Sequence, residues 1–276
     1  MPRYVWPTDR NGNLINLGNS SFQGTFLPII EDVKGEIFPL VRSSWLLAVR
    51  GSVAIGAAVP PFSDLDLILI VDDLVAEEDR SALERARAKI QLAYADRLDL
   101  VELQLVDRTR SSRELSRAVA HLQLQSVTLT GHALQYPPLR PDLDLYYRLW
   151  EGTRSACRSI AQNVKVADLS WNTEPKPASF WCRWVLRDVI RMTCGVAMLR
   201  TKLYSSHLDS CVELISDALP PLAPTARALL SAERFPPVSR EECLTAMSDG
   251  LGMLDHALAW NSDSSDDTMR IDPDRT

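Results

Sequence analysis

Residues 45–72, with the sequence WLLAVRGSVAIGAAVPPFSDLDLILIVD, contain two apolar runs separated by a bridging segment with two glycines. The runs at 45–49 and 65–71 have the length and composition of buried β-strands. Asp64 and Asp66 are two residues apart where the second run begins. Because strand side chains alternate between faces, both carboxylates are predicted on one face of the sheet.

Two carboxylates held this close repel each other, and neither gains from apolar neighbours. A cation between them removes that cost, and Mg²⁺ is suited because it prefers oxygen ligands and accompanies phosphate-bearing substrates. Asp64 and Asp66 therefore predict a magnesium site. Gly51 and Ser52 are suited to phosphate, because glycine lets the backbone approach closely and a hydroxyl can donate to phosphate oxygens.

The motifs GS at 51–52 and DLDL at 64–67 together resemble the signature of the polymerase-beta-like nucleotidyltransferases. In that family an apolar strand, a Gly-Ser or Gly-Gly turn and about ten further residues precede an Asp-apolar-Asp/Glu-apolar strand. The resemblance implies an α/β (α+β) domain with a small mixed sheet. It also implies that the GS turn holds a nucleotide triphosphate and that Asp64 and Asp66 hold two Mg²⁺ ions.

The resemblance further implies a third carboxylate on the next strand, which the alternating segment RLDLVELQLVD at 97–107 predicts. Two acids compete for this role. Asp99 shares its face with three apolar residues, so that face is predicted to pack on helices. Glu102 shares its face with Leu98, Leu100 and Gln104, and the part with Glu102 and Gln104 is predicted to line a wet cleft. Glu102 is therefore favoured as the third acid, and Asp99 is the alternative.

The chemistry implied by the resemblance is in-line attack of a substrate hydroxyl on the α-phosphate of a nucleoside triphosphate, with pyrophosphate leaving. The paired aspartates would hold both metals, and Glu102 would ligate the catalytic metal or act as base for the hydroxyl. Arg50 and Ser63 are further candidates for contact with the nucleotide. ATP is the implied co-substrate.

The chain has 276 residues and a net charge of −6. An acidic chain disfavours a nucleic-acid partner and suits a cationic small substrate. Its five cysteines have neither zinc-finger spacing nor a disulfide-like cluster, so they are predicted to be reduced, buried thiols of a cytoplasmic protein. Neither a signal peptide nor a membrane-spanning run is predicted.

The first half is predicted as mixed α/β and the second as helical, with a Pro-rich linker near 129–142. The predicted domains are a nucleotidyltransferase domain at 1–138, an all-α helical bundle at 139–262 and a Ser/Asp-rich disordered tail at 263–276. Apolar spacing and helix-forming composition predict helices at 27–41, 76–95, 111–125, 142–164, 179–202, 206–218, 224–232 and 240–260.

This layout resembles the streptomycin/spectinomycin adenylyltransferases, in which basic residues of the helical half reach the triphosphate. The resemblance implies such a role for Arg191, or Arg187, followed by Lys202 and Tyr204. A solvated helix face is the alternative, since Arg183 continues the same four-residue spacing.

Two tryptophans and an acid are candidates for binding the acceptor. Trp181, Trp184 and Asp188 lie on one predicted helix, and aromatic rings with a carboxylate suit a cationic sugar. The alternatives are that the tryptophans fill the bundle core and that Asp188 pairs with Arg191 on the helix surface.

The resulting prediction is a metal-dependent adenylyltransferase that moves AMP from ATP to a hydroxyl of a small, cationic acceptor, such as an aminoglycoside-type antibiotic. The alternative is a toxin–antitoxin type nucleotidyltransferase that modifies a protein or tRNA. The acidic charge and the helical half favour the first.

Overall fold

The computed structural model describes residues 5–19, 22, 24–61, 63–73, 75–109, 113–132, 136–166, 169–171, 174–262, 270–272 and 275. The chain forms two compact units. The sheet unit is Leu14–Leu139, and the helical unit joins Met1–Asn13 to Arg140–Thr276. The unit therefore differs from the predicted range 1–138 at its start, because the described residues 5–13 belong to the helical unit.

The sheet unit is built on four strands in the order β3-β2-β1-β4. Strand β1 is antiparallel to both of its neighbours, whereas β2 and β3 run parallel, so the sheet is mixed as predicted. The strands are β1 (Ser44–Arg50), β2 (Leu65–Val71), β3 (Val101–Asp107) and β4 (Ser126–Gly131).

Helices cover both faces of this sheet. Leu47, Val49 and the odd-numbered residues of β2 pack against α1 and α3, and the even-numbered apolar residues of the two strands pack against α4. Burial on both faces explains why the two strands are nearly continuous apolar runs in the sequence. The helices are α1 (Leu27–Glu36), the four-residue α2 (Gly51–Ala54), α3 (Glu77–Ala93) and α4 (Arg113–Gln125), with a 3₁₀ turn at Phe38–Leu40.

Two strand predictions need correction. Strand β3 begins at Val101 rather than at residue 97. Strand β4 was not predicted, because Gly131 was interpreted as part of a linker. Gly131 instead has φ +96°, and a Cβ there would lie 2.3 Å from the Trp45 carbonyl oxygen. The glycine is thus required by the close approach of β4 to β1.

The helical unit is organised around α7, which packs against α5, α6, α8, α9 and α10. The predicted helix at 142–164 is divided at Gly152, which has φ +77°. A two-stranded sheet is also present, so the unit is mainly helical rather than all-α. Its elements are α5 (Leu143–Trp150), α6 (Thr153–Val164), β5 (Leu169–Trp171), β6 (Glu174–Lys176), α7 (Ala178–Thr201), α8 (Leu208–Ala218), α9 (Ala223–Arg234) and α10 (Arg240–Ser262).

The end of the chain contradicts part of the predicted disordered tail. Within that tail, 263–269, 273, 274 and 276 lie outside the described residues. Ile271 is buried, and its N–H donates to the Asn261 Oδ1 atom at 2.8 Å. The Arg275 guanidinium lies 3.9 Å from the Tyr147 ring centroid and 3.0 Å from a Glu151 oxygen. Composition missed these anchors because they are single residues in a polar segment.

Among the described helices, not one has both the length and the apolar character needed to cross a membrane. All five cysteines are free and buried, as predicted.

Candidate active site

Three ionisable side chains form a row across the sheet. In the strand register Arg50 lies opposite Asp66, and Asp66 lies opposite Glu102. Cross-strand partners share a face of the sheet, so the three side chains project together from the face that α4 covers. The apolar cluster on this face includes Ala48 and Ile68, each two residues from the row. The row therefore lies at the edge of the core.

The arginine of this row is shared by the two acids. The Arg50 Nη2 atom is 3.2 Å from the Asp66 Oδ1 atom and 4.0 Å from the Glu102 Oε2 atom. The side chains of Arg50, Asp66 and Glu102 are 21%, 20% and 34% exposed, respectively. Water screens such partly buried charges less than it screens surface charges. One guanidinium thus neutralises two carboxylates incompletely.

Burial and the surplus of negative charge together raise the pKa of Glu102. Its pKa is raised from 4.5 to about 7, first by burial and then by the negative charge of Asp66. Asp64 raises the pKa further, whereas Arg50 opposes the shift. A carboxyl group with a pKa near neutrality can accept and release a proton at physiological pH.

Gly51 brings the chain directly against this row. It has φ +72°, and a Cβ there would lie 2.5 Å from the Asp66 Oδ2 atom. Any other residue would therefore be strained and would collide with the carboxylate. Ser52 follows in α2 and is half-buried. The predicted phosphate turn is thus adjacent to the predicted metal ligand Asp66.

The remaining candidates of the sheet unit lie where the strands begin. The Ser63 Oγ atom accepts the Val59 N–H at 2.8 Å, which closes the loop between α2 and β2. Asp64 is half-buried and immediately precedes β2. Asp99 is exposed and precedes β3, with its N–H donating to the Ser63 carbonyl at 3.2 Å. Glu102, rather than Asp99, is therefore the acid beside Asp66.

The chemistry of the row suits a magnesium ion, although no ligand set is assembled. Among the described residues, no group of three His, Cys, Asp or Glu side chains is arranged to hold a metal ion. Asp66 and Glu102 nevertheless flank one cationic nitrogen, and carboxylate oxygens are the ligands that Mg²⁺ prefers. The two acids thus fit a divalent ion at the position that the Arg50 guanidinium occupies.

The helical-unit candidates for the nucleotide are in different environments. The Arg191 Nε atom donates to the Ser206 carbonyl at 3.2 Å. Lys202 is exposed and ends α7 in a left-handed conformation, with φ 57°. Tyr204 is buried, and its ring contacts those of Trp6 and Trp150. The alternative arginine, Arg187, pairs with the buried Glu233 at 2.6 Å.

The acceptor candidates share one face of α7 by their spacing in the helix. Trp181 is buried, and its Nε1 atom donates to the Leu169 carbonyl at 3.2 Å. Trp184 is half-buried and Asp188 is buried. The structure therefore groups these three along α7 and places the acidic row in the other unit.

Neither a protein-family model nor a curated protein sequence matches this chain. A solved structure does: the spectinomycin adenyltransferase AAD(9) from Enterococcus faecialis, crystallised with ATP and spectinomycin. The TM-score is 0.56 at 12% identity, over 83% of this chain and 98% of that one. The chain has a nucleotidyltransferase fold. The resemblance found in the sequence is confirmed at the level of the fold.

A complex of a tri-AMPylated Shewanella oneidensis HEPN toxin with an MNT antitoxin is also similar, over 50% of this chain and 91% of the other. Its TM-score is 0.26 at 17% identity, which is too weak a similarity to support an inference.

Proposed function

We propose that the protein transfers AMP from ATP to a hydroxyl group of a small, cationic acceptor of the aminoglycoside type. The observation that carries this proposal is the row of Arg50, Asp66 and Glu102 beside the turn at Gly51. The fold similarity to an adenyltransferase crystallised with ATP and spectinomycin supports the same enzyme class.

In the proposed reaction the acceptor oxygen attacks the α-phosphorus of ATP. A new oxygen–phosphorus bond forms as the bond to pyrophosphate breaks, and pyrophosphate leaves with the electron pair. Asp64 and Asp66 would hold Mg²⁺, which would supply positive charge to the phosphates. Glu102 would ligate the same ion or act as the base for the hydroxyl proton.

The turn after β1 is the proposed binding site for the phosphates. Gly51 leaves room for close approach, and the Ser52 hydroxyl would donate to a phosphate oxygen. The Ser63 hydroxyl accepts a hydrogen bond from Val59 and retains its own proton for donation. Arg50 would contribute a planar fork of donors.

The helical unit supplies the remaining proposed contacts. Arg191 and Lys202 are proposed to contact the nucleotide, and Trp184 and Asp188 to bind the acceptor. Tyr204 and Trp181 are left out, because both rings are buried in the packing of this unit. We also propose a cytoplasmic location, which suits five free cysteines, and resistance to an aminoglycoside-type antibiotic as the consequence of the activity.

The test is to incubate the protein with Mg²⁺ and ATP labelled in its α-phosphate, in the presence of spectinomycin, streptomycin and other aminoglycosides. We expect label on one of the small molecules and release of pyrophosphate. Parallel incubations offer protein extract and tRNA. Label on either of these, and on no small molecule, would contradict the proposed acceptor class, and no transfer at all would contradict the enzyme class.

A further inference from the structure

Arg50 occupies the position that a metal ion would need. Its Nη2 atom lies 3.2 Å from Asp66 and 4.0 Å from Glu102. A magnesium ion requires oxygen ligands at roughly 2.0–2.1 Å, so the ion and the guanidinium cannot lie between these acids together. Asp66 and Glu102 therefore hold either the arginine or a metal.

The hydrogen-bonding capacity of Arg50 is only partly used by the acids. Both carboxylates are contacted through the same nitrogen, Nη2. Among the described residues, the buried Nε atom has no hydrogen-bond acceptor. A phosphate group binds a guanidinium through parallel N–H donors, and would therefore satisfy Arg50 better than the two acids do.

Because of the position of Arg50 in the chain, its guanidinium would move only a short way from the acids to a bound phosphate. Arg50 is the last residue of β1 and directly precedes Gly51 and Ser52, where the proposed function places the triphosphate. Rotation about the side-chain bonds of Arg50 would redirect the guanidinium toward this turn without moving the backbone of the strand.

We propose that Arg50 is an exchangeable counter-ion. In the nucleotide-free protein it neutralises Asp66 and Glu102, and it moves to the triphosphate when the magnesium–nucleotide complex brings its own cation. This inference rests on the proposed nucleotidyl transfer. It implies that the free protein binds divalent ions weakly and that the metal enters together with the nucleotide.

The experiment measures metal and nucleotide binding separately. Mn²⁺ serves as the metal probe, with unbound ion followed by electron paramagnetic resonance in the absence of nucleotide. Arg50→Met removes the charge and should tighten Mn²⁺ binding about tenfold, because the acids lose their competing cation. The same variant should weaken binding of magnesium with a non-hydrolysable ATP analogue about tenfold, as measured by calorimetry.

Two further variants separate this role from general effects on folding. Arg108→Met removes an equal charge from the opposite end of β2, where Arg108 pairs with Asp72, and should change both affinities less than twofold. Arg50→Lys keeps the charge but loses the planar fork, so it should keep weak Mn²⁺ binding and still lose nucleotide affinity. A thermal melt checks that each variant is folded.

The outcomes distinguish this inference from the proposed function. If the wild-type protein transfers AMP while Arg50→Met and Arg50→Lys leave both affinities unchanged, the counter-ion role is overturned and the enzyme class stands. Tighter metal binding with weaker nucleotide binding in Arg50→Met supports the exchange, because a merely structural defect would weaken both. If the wild-type protein binds no nucleotide, the proposed function fails and the inference fails with it.

Discussion

Strand β2 has an arginine–aspartate contact at each end, and the two contacts differ in kind. Beyond its last residue, the Arg108 Nε atom lies 2.6 Å from the Asp72 Oδ1 atom, and the side chains are 42% and 44% exposed. Near the first residue of β2, Arg50 contacts both Asp66 and Glu102, at longer distances and with less exposed side chains. The first is an ordinary surface ion pair, and the second is a partly buried cluster with too much negative charge.

The difference indicates which end of the strand is the better candidate for a functional site. An exposed pair contributes about 0–1 kcal/mol to stability. A partly buried surplus of carboxylates opposes folding, and groups with pKa values perturbed in this way are concentrated at functional sites. The four predictions below test this contrast.

The largest effect is expected for Asp66→Asn. Loss of this carboxylate should reduce AMP transfer at least about 100-fold, because it removes fixed charge from the proposed reaction centre. Asp72→Asn, just beyond the other end of β2, is the matched control, and its rate should stay within about twofold of wild type. Label transfer to the acceptor measures both. Equal activity of the two variants would refute the assignment of the site.

Gly51→Ala should have the second largest effect. Gly51 and Gly56 both have positive φ, at 72° and 71°. Either alanine variant should lose about 1–2 kcal/mol from backbone strain. Only at Gly51 would the new Cβ collide with Asp66, since a Cβ at Gly56 meets no described atom within 4 Å.

Urea denaturation and label transfer compare the two glycine variants directly. Gly51→Ala should be the less stable of the two and should lose at least about tenfold in activity through displacement of Asp66. Similar stability and activity in Gly51→Ala and Gly56→Ala would show that the contact with Asp66 has no importance.

Glu102→Gln should stabilise the metal-free protein. The pKa of Glu102 is raised to about 7 in the folded state from an ordinary value of 4.5, so its ionisation disfavours folding. The cost is absent below pH 4.5, grows as the pH rises toward 7 and stays constant above that. At pH 8 the gain should be about 1 kcal/mol, after allowance for the solvent screening of a side chain that is one-third exposed.

Denaturation of Glu102→Gln and wild type at pH 4 and pH 8 measures this difference. Glu84→Gln removes an exposed carboxylate that pairs with Arg87, serves as the control and should show no gain at pH 8. A Glu102→Gln variant less stable than wild type at pH 8 would show that Glu102 is stabilising as a carboxylate.

The smallest effect is expected for Arg108→Met. It should lower the free energy of unfolding by at most about 1 kcal/mol, and part of that loss should disappear at high salt because the ion pair is exposed. The contact of Arg108 with the Trp45 ring, at 4.4 Å, is less sensitive to salt and should account for the remainder. A loss well above this value would show that the Arg108–Asp72 pair is more than an ordinary surface ion pair, which would contradict the comparison between the two ends of β2.

The sequence predicts the centre of the sheet well, because local pattern determines it. Two apolar runs give β1 and β2, and alternation along 97–107 predicts the face of β3 whose Val101, Leu103 and Leu105 pack in the core. The face of Glu102 is not wholly polar, because Val106 on that face is buried in the other core cluster. The contact between Arg50 and the acids was not predicted. It depends on the register of β1 against β2, which is a property of two distant segments.

The incorrect predictions have the same cause, because each of them also depends on contacts between segments that are distant in the sequence. Strand β4 is defined by its pairing with β1, and Gly131 resembles a turn until that neighbour is present. Ile271 is buried only because the helical unit provides a place for it. The position of Tyr204 after α7 suggests a contact with the nucleotide, whereas its ring contacts those of Trp6 and Trp150, which belong to other segments of the helical unit. Tertiary contacts decide each case.

The division of the chain also affects its synthesis. Residues 14–139 form a compact unit that is continuous in the chain, whereas the backbone N–H of Trp6 donates to the carbonyl of Tyr204 at 2.7 Å. At a translation rate of roughly 5–20 residues per second, Tyr204 is synthesised about 10–40 seconds after Trp6. The first segment made is therefore among the last to reach its final place, and the nascent protein carries an unsheltered tryptophan throughout that interval.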